Sequence, residues 1–155
     1  MPSVSSSQLS IEPILFEDTL VSDLKLPAKR YTITARSQLK DGLTLVFAHA
    51  TGMHKEQWEP IIFALLPRPN ILEAWAVEWP SHGAGARANA SAMARRKEGV
   101  GTCCVTVSVN VHLSTDSWLS ASTEWGSLIA ALMRSRAIDS SHSVGIGHSG
   151  GCSAL

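Results

Sequence analysis

The chain has 155 residues, 45% hydrophobic and 17% charged, and its 13 basic side chains balance 13 acidic ones. Such a composition buries enough apolar surface to offset the entropy of ordering, which excludes wholesale disorder, and the length suits one domain. The longest purely apolar run, residues 61–66, is far short of the roughly 20 needed to span a bilayer, and no concentration of positive charge supports a nucleic-acid partner.

Residues 1–30 read as an amino-terminal lead-in, polar and partly mobile around Ser5, Ser6, Ser7 and Gln8. They lack the charged start and continuous apolar core of a secretory signal. A cytoplasmic, reducing setting is the default expectation. Three cysteines, two of them adjacent at Cys103 and Cys104, build no disulfide framework.

From residue 31 to 36, Tyr31, Ile33 and Ala35 alternate with Thr32, Thr34 and Arg36, the period of a half-buried strand. Lys40, Asp41 and Gly42 supply a turn. Residues 43–48 then form a short continuous apolar and β-branched run, as expected of a parallel strand covered on both faces. Trp58, Ile61, Ile62, Leu65 and Leu66 follow helical spacing, with Pro60 where a first turn tolerates it; Pro67 and Pro69 end the helix. Residues 72–79 read as the next strand, stopped by Pro80.

A second amphipathic helix is predicted at Trp125, Leu128, Ile129, Leu132 and Met133, with Ser122 as its cap, Glu124 in its first turn and Arg134 and Arg136 near its end. A strand at 143–147 and a Gly-rich turn follow. Between Ala84 and Ser122 the pattern fails. There Val105, Val107, Val109 and Val111 alternate with Thr106, Ser108, Asn110 and His112, a strand template where only a crossover is needed. Every valine codon begins with the G-T pair that opens most introns, so residues 99–116 are read as an insertion of the kind that translated non-coding sequence produces. The remaining β-α-β-α-β order implies a doubly wound, mostly parallel α/β sheet.

The chemistry concentrates in residues 145–151. Gly147, Ser149 and Gly151 satisfy G-x-S-x-G, the strand-to-helix turn that exposes a nucleophilic serine. Gly145, Gly147 and Gly150 also satisfy G-x-G-x-x-G, a phosphate-cradling turn. The dinucleotide reading wants an acidic residue about 20 positions later, and the sequence stops at Leu155. The serine reading wants a second backbone donor from the loop after an earlier central strand, and His49, Ala50, Thr51 and Gly52 lie there.

Three collinear segments carry a resemblance: residues 45–52 with 53–60 behind them, residues 78–83, and residues 147–151. Over residues 31–155, apart from 99–116, the sequence resembles the amino-terminal half of an α/β-hydrolase. The resemblance implies that fold, truncated after the nucleophile elbow. It further implies Ser149 as nucleophile, the backbone amides of Thr51 and Gly150 as oxyanion hole, a small-molecule ester or acyl substrate, and no cofactor. His49, Gly52, His82, Gly83, Gly147 and Gly151 would shape the loops. In the family the acid and the histidine follow the nucleophile, yet only Gly150, Gly151, Cys152, Ser153, Ala154 and Leu155 follow Ser149. The resemblance therefore implies a nearly inactive fragment with an open edge at strand 143–147, prone to self-association. Glu78 stands where the family commonly has Asp.

The plainer readings are these. His148 is adjacent to Ser149 and badly placed to be its base. His49 and His82 brace loops. His54 and Lys55 are solvated residues at a helix entry, Trp58 and Trp125 belong to the core, and Trp75 and Trp79 lie near a strand end where a pocket wall is possible. Cys103, Cys104 and His112 lack metal-ligand spacing. Arg95, Arg96 and Lys97 form a short solvated patch. A non-catalytic acyl-binding module and, behind it, a nucleotide-binding module are the rival functions.

Overall fold

The computed structural model describes residues 9–34, 42–97, 115–135, 137–138 and 142–155, for 97 and 115–122 through the backbone alone. The chain begins with a hairpin. Strands β1 (Leu9–Glu17) and β2 (Lys25–Ile33) pair antiparallel along their whole length, from Leu9↔Ile33 to Glu17↔Lys25. At its tip Asp18 accepts from the Leu20 amide through its side chain, and from Val21 and Ser22 through its carbonyl, the local bonding that lets Asp open a turn.

This hairpin occupies the stretch expected to be a lead-in. The strand expected at 31–36 is the end of β2, with residues 35 and 36 outside the described part. The physical reason is visible in β1, where Pro13 and several exposed positions break the alternation. Proline is tolerated there because β1 is an edge strand and need not donate on its open side.

Strand β3 (Leu43–Ala48) lies where expected. A 3-10 turn at Lys55–Trp58 leads into helix α1 (Glu59–Leu65), whose first turn holds Pro60, and β4 (Ile71–Val77) follows. The sheet order is β1-β2-β4-β3, closed at the far side by β5 (Ser143–Gly147). β4 is parallel to β3, and β3 to β5, whereas β2 meets β4 antiparallel. The amino-terminal hairpin thus makes a mixed sheet of what would otherwise be a parallel one.

Side chains alternate across β3 and β4 into two cores. Leu26, Ala28, Val46, Ala48, Trp75 and Val77 face one side; Tyr31, Ile33, Leu45, Phe47, Ala74 and Ala76 face the other, where Trp58, Ile62 and Leu66 cover them. Helix α4 (Thr115–Arg134) covers the first side with Trp125, Leu128, Ile129 and Leu132, the predicted stripe. Each such side chain, fully buried, contributes roughly 1.5–3 kcal/mol. Helices therefore cover both faces, as the doubly wound expectation requires. α4 starts earlier than its stripe suggested, so Ser122 lies inside it and is not its cap.

Two further helices, α2 (Gly83–Ala88) and α3 (Ala90–Lys97), occupy part of the stretch where the pattern failed. Of the expected insertion, only positions 115 and 116 are described, and they belong to α4; Cys103, Cys104, His112 and the valine run lie outside the described residues. At the joint between α2 and α3, the Asn89 amide donates to the Lys25 and Pro80 carbonyls and accepts from the Lys25 amide. One buried side chain thereby ties this helix pair to the start of β2.

On the surface Arg96 bridges Glu124 at 2.6 Å and also meets Asp23. Its side chain is 42% exposed, and exposed pairs are worth about 1 kcal/mol or less. Arg96→Ala should therefore lower the urea midpoint only slightly, and the difference should shrink at high salt.

Candidate active site

Because β4, β3 and β5 are parallel, their carboxyl ends lie together: Ala48 pairs with Val77 on one side and with Gly147 on the other. Segments 49–55, 78–82 and 148–151 leave the sheet at that edge, the usual place for ligands in an open α/β sheet.

Ser149 stands at the crest of the third segment. It has φ +52°, the one positive φ of a non-glycine residue among those described. Such a conformation costs on the order of 1–3 kcal/mol and persists only where its surroundings enforce it. The enforcement is local. The His148 amide donates to the Ala48 carbonyl at 3.2 Å, and the Gly151 and Cys152 amides donate back to the His148 and Ser149 carbonyls at 2.9 Å. Gly151 passes so near β3 that a Cβ there would lie 2.2 Å from the Ala48 oxygen, and only glycine fits. Gly147 packs against Cys152 below the bend. The Ser149 side chain is exposed.

Thr51 sits in the first segment. The Met53 amide donates to the Ala50 carbonyl at 3.0 Å, closing a turn whose third position, Gly52, has φ +79° and so requires the freedom of glycine. A Cβ on Gly150 would lie 2.5 Å from Thr51 Oγ1 and 3.5 Å from the Thr51 nitrogen, so the structure brings these two predicted residues together. Among the described residues neither the Thr51 nor the Gly150 amide has an acceptor, and Thr51 Oγ1 is buried without a partner. Trp79 forms a wall beside Gly150, its ring edge 2.9 Å from the same Cβ position.

The two histidines at this edge are fully engaged. His49 is buried; Nδ1 lies 2.8 Å from the Ala50 carbonyl oxygen, and Nε2 stands between the Trp79 amide nitrogen at 3.0 Å and Glu78 Oε1 at 2.9 Å. His82 accepts the Gly52 amide on Nε2 at 3.1 Å and keeps Nδ1 against Ser81 Oγ. Burial, helped by the nearby His49, holds the His82 imidazole below its ordinary pKa, against the opposing pull of Glu78. The neutral ring is the form that accepts an amide. Gly83, φ +46°, lies over the Glu78 carboxylate.

Glu78 and Lys55 were not singled out for this site, and Lys55 was expected in solvent. Both are buried, Lys55 at 6% and Glu78 at 1% exposure, with Nζ 2.8 Å from Oε2. Glu78 Oε1 also lies 2.9 Å from His49 Nε2. Burial alone would raise the Glu78 pKa, but hydrogen bonds and charge from His49 and Lys55 outweigh it and hold the carboxyl below its ordinary range. The available signal was an acid directly after an apolar strand, which must find a cation if it is buried.

No family model matches the sequence, and no curated protein matches it. Solved structures do. The peroxisomal α/β-hydrolase Lpx1 of Saccharomyces cerevisiae aligns over 92% of this chain and 37% of its own, with TM-score 0.51 and 20% identity. A cold-adapted esterase from an Arctic intertidal metagenomic library aligns over 97% of this chain and 55% of its own, with TM-score 0.59 and 16% identity. A variant of aCif aligns over 97% and 33%, with TM-score 0.55 and 15% identity. The chain thus spans between about a third and a half of the length of these proteins. By the order of its five strands and its likeness to these structures, the chain has the α/β-hydrolase fold.

Proposed function

We propose that the chain is the nucleophile-bearing part of a serine hydrolase that acts on an ester or related acyl substrate through an acyl-enzyme at Ser149. The observation that carries the reading is the juxtaposition of Ser149, in its left-handed backbone conformation, with the amides of Thr51 and Gly150, which have no acceptor among the described residues. Attack by the Ser149 hydroxyl on a carbonyl carbon forms an O–C bond and places negative charge on the carbonyl oxygen. Two preorganised amides stabilise that charge where it appears, each worth on the order of a hundredfold to a thousandfold in rate. Collapse expels the alcohol or amine, and water releases the acid.

A general base must take the Ser149 proton. His49 Nε2 is taken up by Glu78 and the Trp79 nitrogen, His82 Nε2 holds the Gly52 amide, and His148 is the nucleophile's own neighbour. The 155 residues alone are therefore expected to react slowly. A protease stripped of its triad retains roughly a thousandfold to ten-thousandfold over water from its oxyanion hole and binding.

A fluorophosphonate tests the reading, because serine attack forms an O–P bond, expels fluoride and develops the same oxyanion. Mass spectrometry should find a slow adduct at Ser149 in the intact chain and none in Ser149→Ala. Prolonged incubation without that adduct, or one at Ser153 instead, overturns the proposal. The engaged state of His49 and His82 favours the non-catalytic acyl-binding reading in that event, and saturable binding of a fatty acyl ligand would establish it.

A further inference from the structure

We propose that Glu78 is a positioning residue for the Thr51 amide, gripping both ends of the loop that carries it; this rests on the serine-hydrolase reading above. Loop 49–55 leaves β3 at His49 and ends where the 3-10 turn begins at Lys55. Glu78 Oε1 stands 2.9 Å from His49 Nε2 at the first end and accepts the Lys55 amide at 3.3 Å at the second, while Oε2 takes Lys55 Nζ at 2.8 Å. One carboxylate thereby closes the loop on itself.

The middle of the loop is tied to the same stretch of chain, since the Gly52 amide donates to His82 and the Trp79 amide nitrogen lies 3.0 Å from His49 Nε2. These ties come from residues 78–82, directly after β4, the strand that pairs with β3. Lys55 is held from its other side as well. Its Nζ lies 3.0 Å from Glu56 Oε1, which faces Lys29 Nζ at 3.1 Å, and Lys29 pairs with Glu59 at 3.0 Å. Tyr31 donates to that Glu59. Alternating charges therefore run from the oxyanion loop to β2 and α1.

Glu78 is 1% exposed and so does not meet substrate. Its influence passes through the loop. An oxyanion donor must be held to about 0.5 Å, and within the loop the turn that carries Thr51 is closed by the hydrogen bond from the Met53 amide to the Ala50 carbonyl, which does not fix the turn to the sheet. Displacement by about 1 Å can cost a hundredfold in rate.

Saturation kinetics of fluorophosphonate labelling at Ser149 separate this role from a merely structural one. Glu78→Gln keeps the shape and removes the charge. It should lower kinact on the order of tenfold to a hundredfold while KI changes little, and Glu78→Asp should recover part of the loss. Arg96→Ala, far from the site, should match the wild type. A folded Glu78→Gln chain with wild-type kinact overturns the role of Glu78 while leaving the hydrolase reading intact. Absence of a Ser149 adduct on the wild type overturns the hydrolase reading itself. If Glu78→Gln does not fold, Lys55→Gln, which leaves the carboxylate beside His49, carries the same comparison. Hydrogen exchange on the wild type gives an independent readout: the Lys55 amide should exchange as slowly as those of β3, and exchange at the rate of an exposed loop overturns the clamp.

Discussion

Trp125→Ala is expected to remove about 3–5 kcal/mol of stability, the cost of deleting a fully buried tryptophan, from a total of about 5–15 kcal/mol for a domain of this kind. Trp125 is 0% exposed and joins helix α4 to the sheet. Its ring stacks on Trp79 at 4.7 Å and 19°, and approaches His49 at 5.4 Å. The cavity would therefore open beneath both the wall beside Gly150 and the imidazole that starts the oxyanion loop.

Trp125→Phe gives the contrast. The indole Nε1 is buried without a partner among the described residues, so phenylalanine removes an unsatisfied donor along with part of the ring, and the two effects oppose each other. Urea unfolding followed by circular dichroism should place the Phe variant well above the Ala variant at similar m. An alanine variant within about 1 kcal/mol of wild type would mean that α4 does not hold this face, because so small a change is typical of surface substitutions.

What could be read from the residues divides along physical lines. β3 was legible to the residue because a strand covered on both faces is a continuous apolar run, and β5 because it leads directly into the Gly-rich turn that follows it. The stripe of α4 was legible through Trp125, Leu128, Ile129 and Leu132, but its start was not, since Ser122 offers a cap residue that in fact lies inside the helix. The β1-β2 hairpin was hidden by Pro13 and Pro27 and by the half-exposed state of an edge pair. α2 was hidden because six residues containing Gly83 and Gly85 make too little of a helical stripe.

The candidate site followed a similar division. Ser149 stood out through motif spacing, and Gly150 and Thr51 through the resemblance, whereas their meeting depends on the register that pairs Ala48 with Gly147, which no local pattern encodes. The ion pair of Glu78 and Lys55 spans 23 positions. Charged residues at such a distance read as solvated until the fold buries them together, which is why Lys55 was misplaced.

Acid should destabilise the chain in two stages, beginning well above the range of ordinary carboxylates. His82 is held below its usual 6.5 by burial and by His49. As pH falls past about 6.5 the unfolded chain binds a proton that the folded chain refuses, so the contribution present above that value is lost on descent. The second stage belongs to carboxylates whose folded pKa lies below the unfolded one. For Glu78 burial opposes ionisation, and His49 and Lys55 outweigh it. For Glu56 burial is likewise outweighed, by Lys55 and Lys29, and the group falls to about 2. Glu124 is lowered chiefly by Arg96. These contributions are complete above the ordinary value of 4.5 and are lost as pH falls below it, that of Glu56 only near its value of about 2. A group protonated in only one of the two states changes stability by up to about 1.4 kcal/mol per pH unit, so several carboxylates together should unfold the chain within the lower window. Urea midpoints measured from about pH 7.5 to 3 should fall gently at first and steeply below about 4.5, and His82→Gln should flatten the upper part while sparing the lower. A wild-type profile flat down to about pH 4.5, or an upper slope that survives His82→Gln, would show that the buried imidazole beside Gly52 takes up its proton as freely as one in solvent.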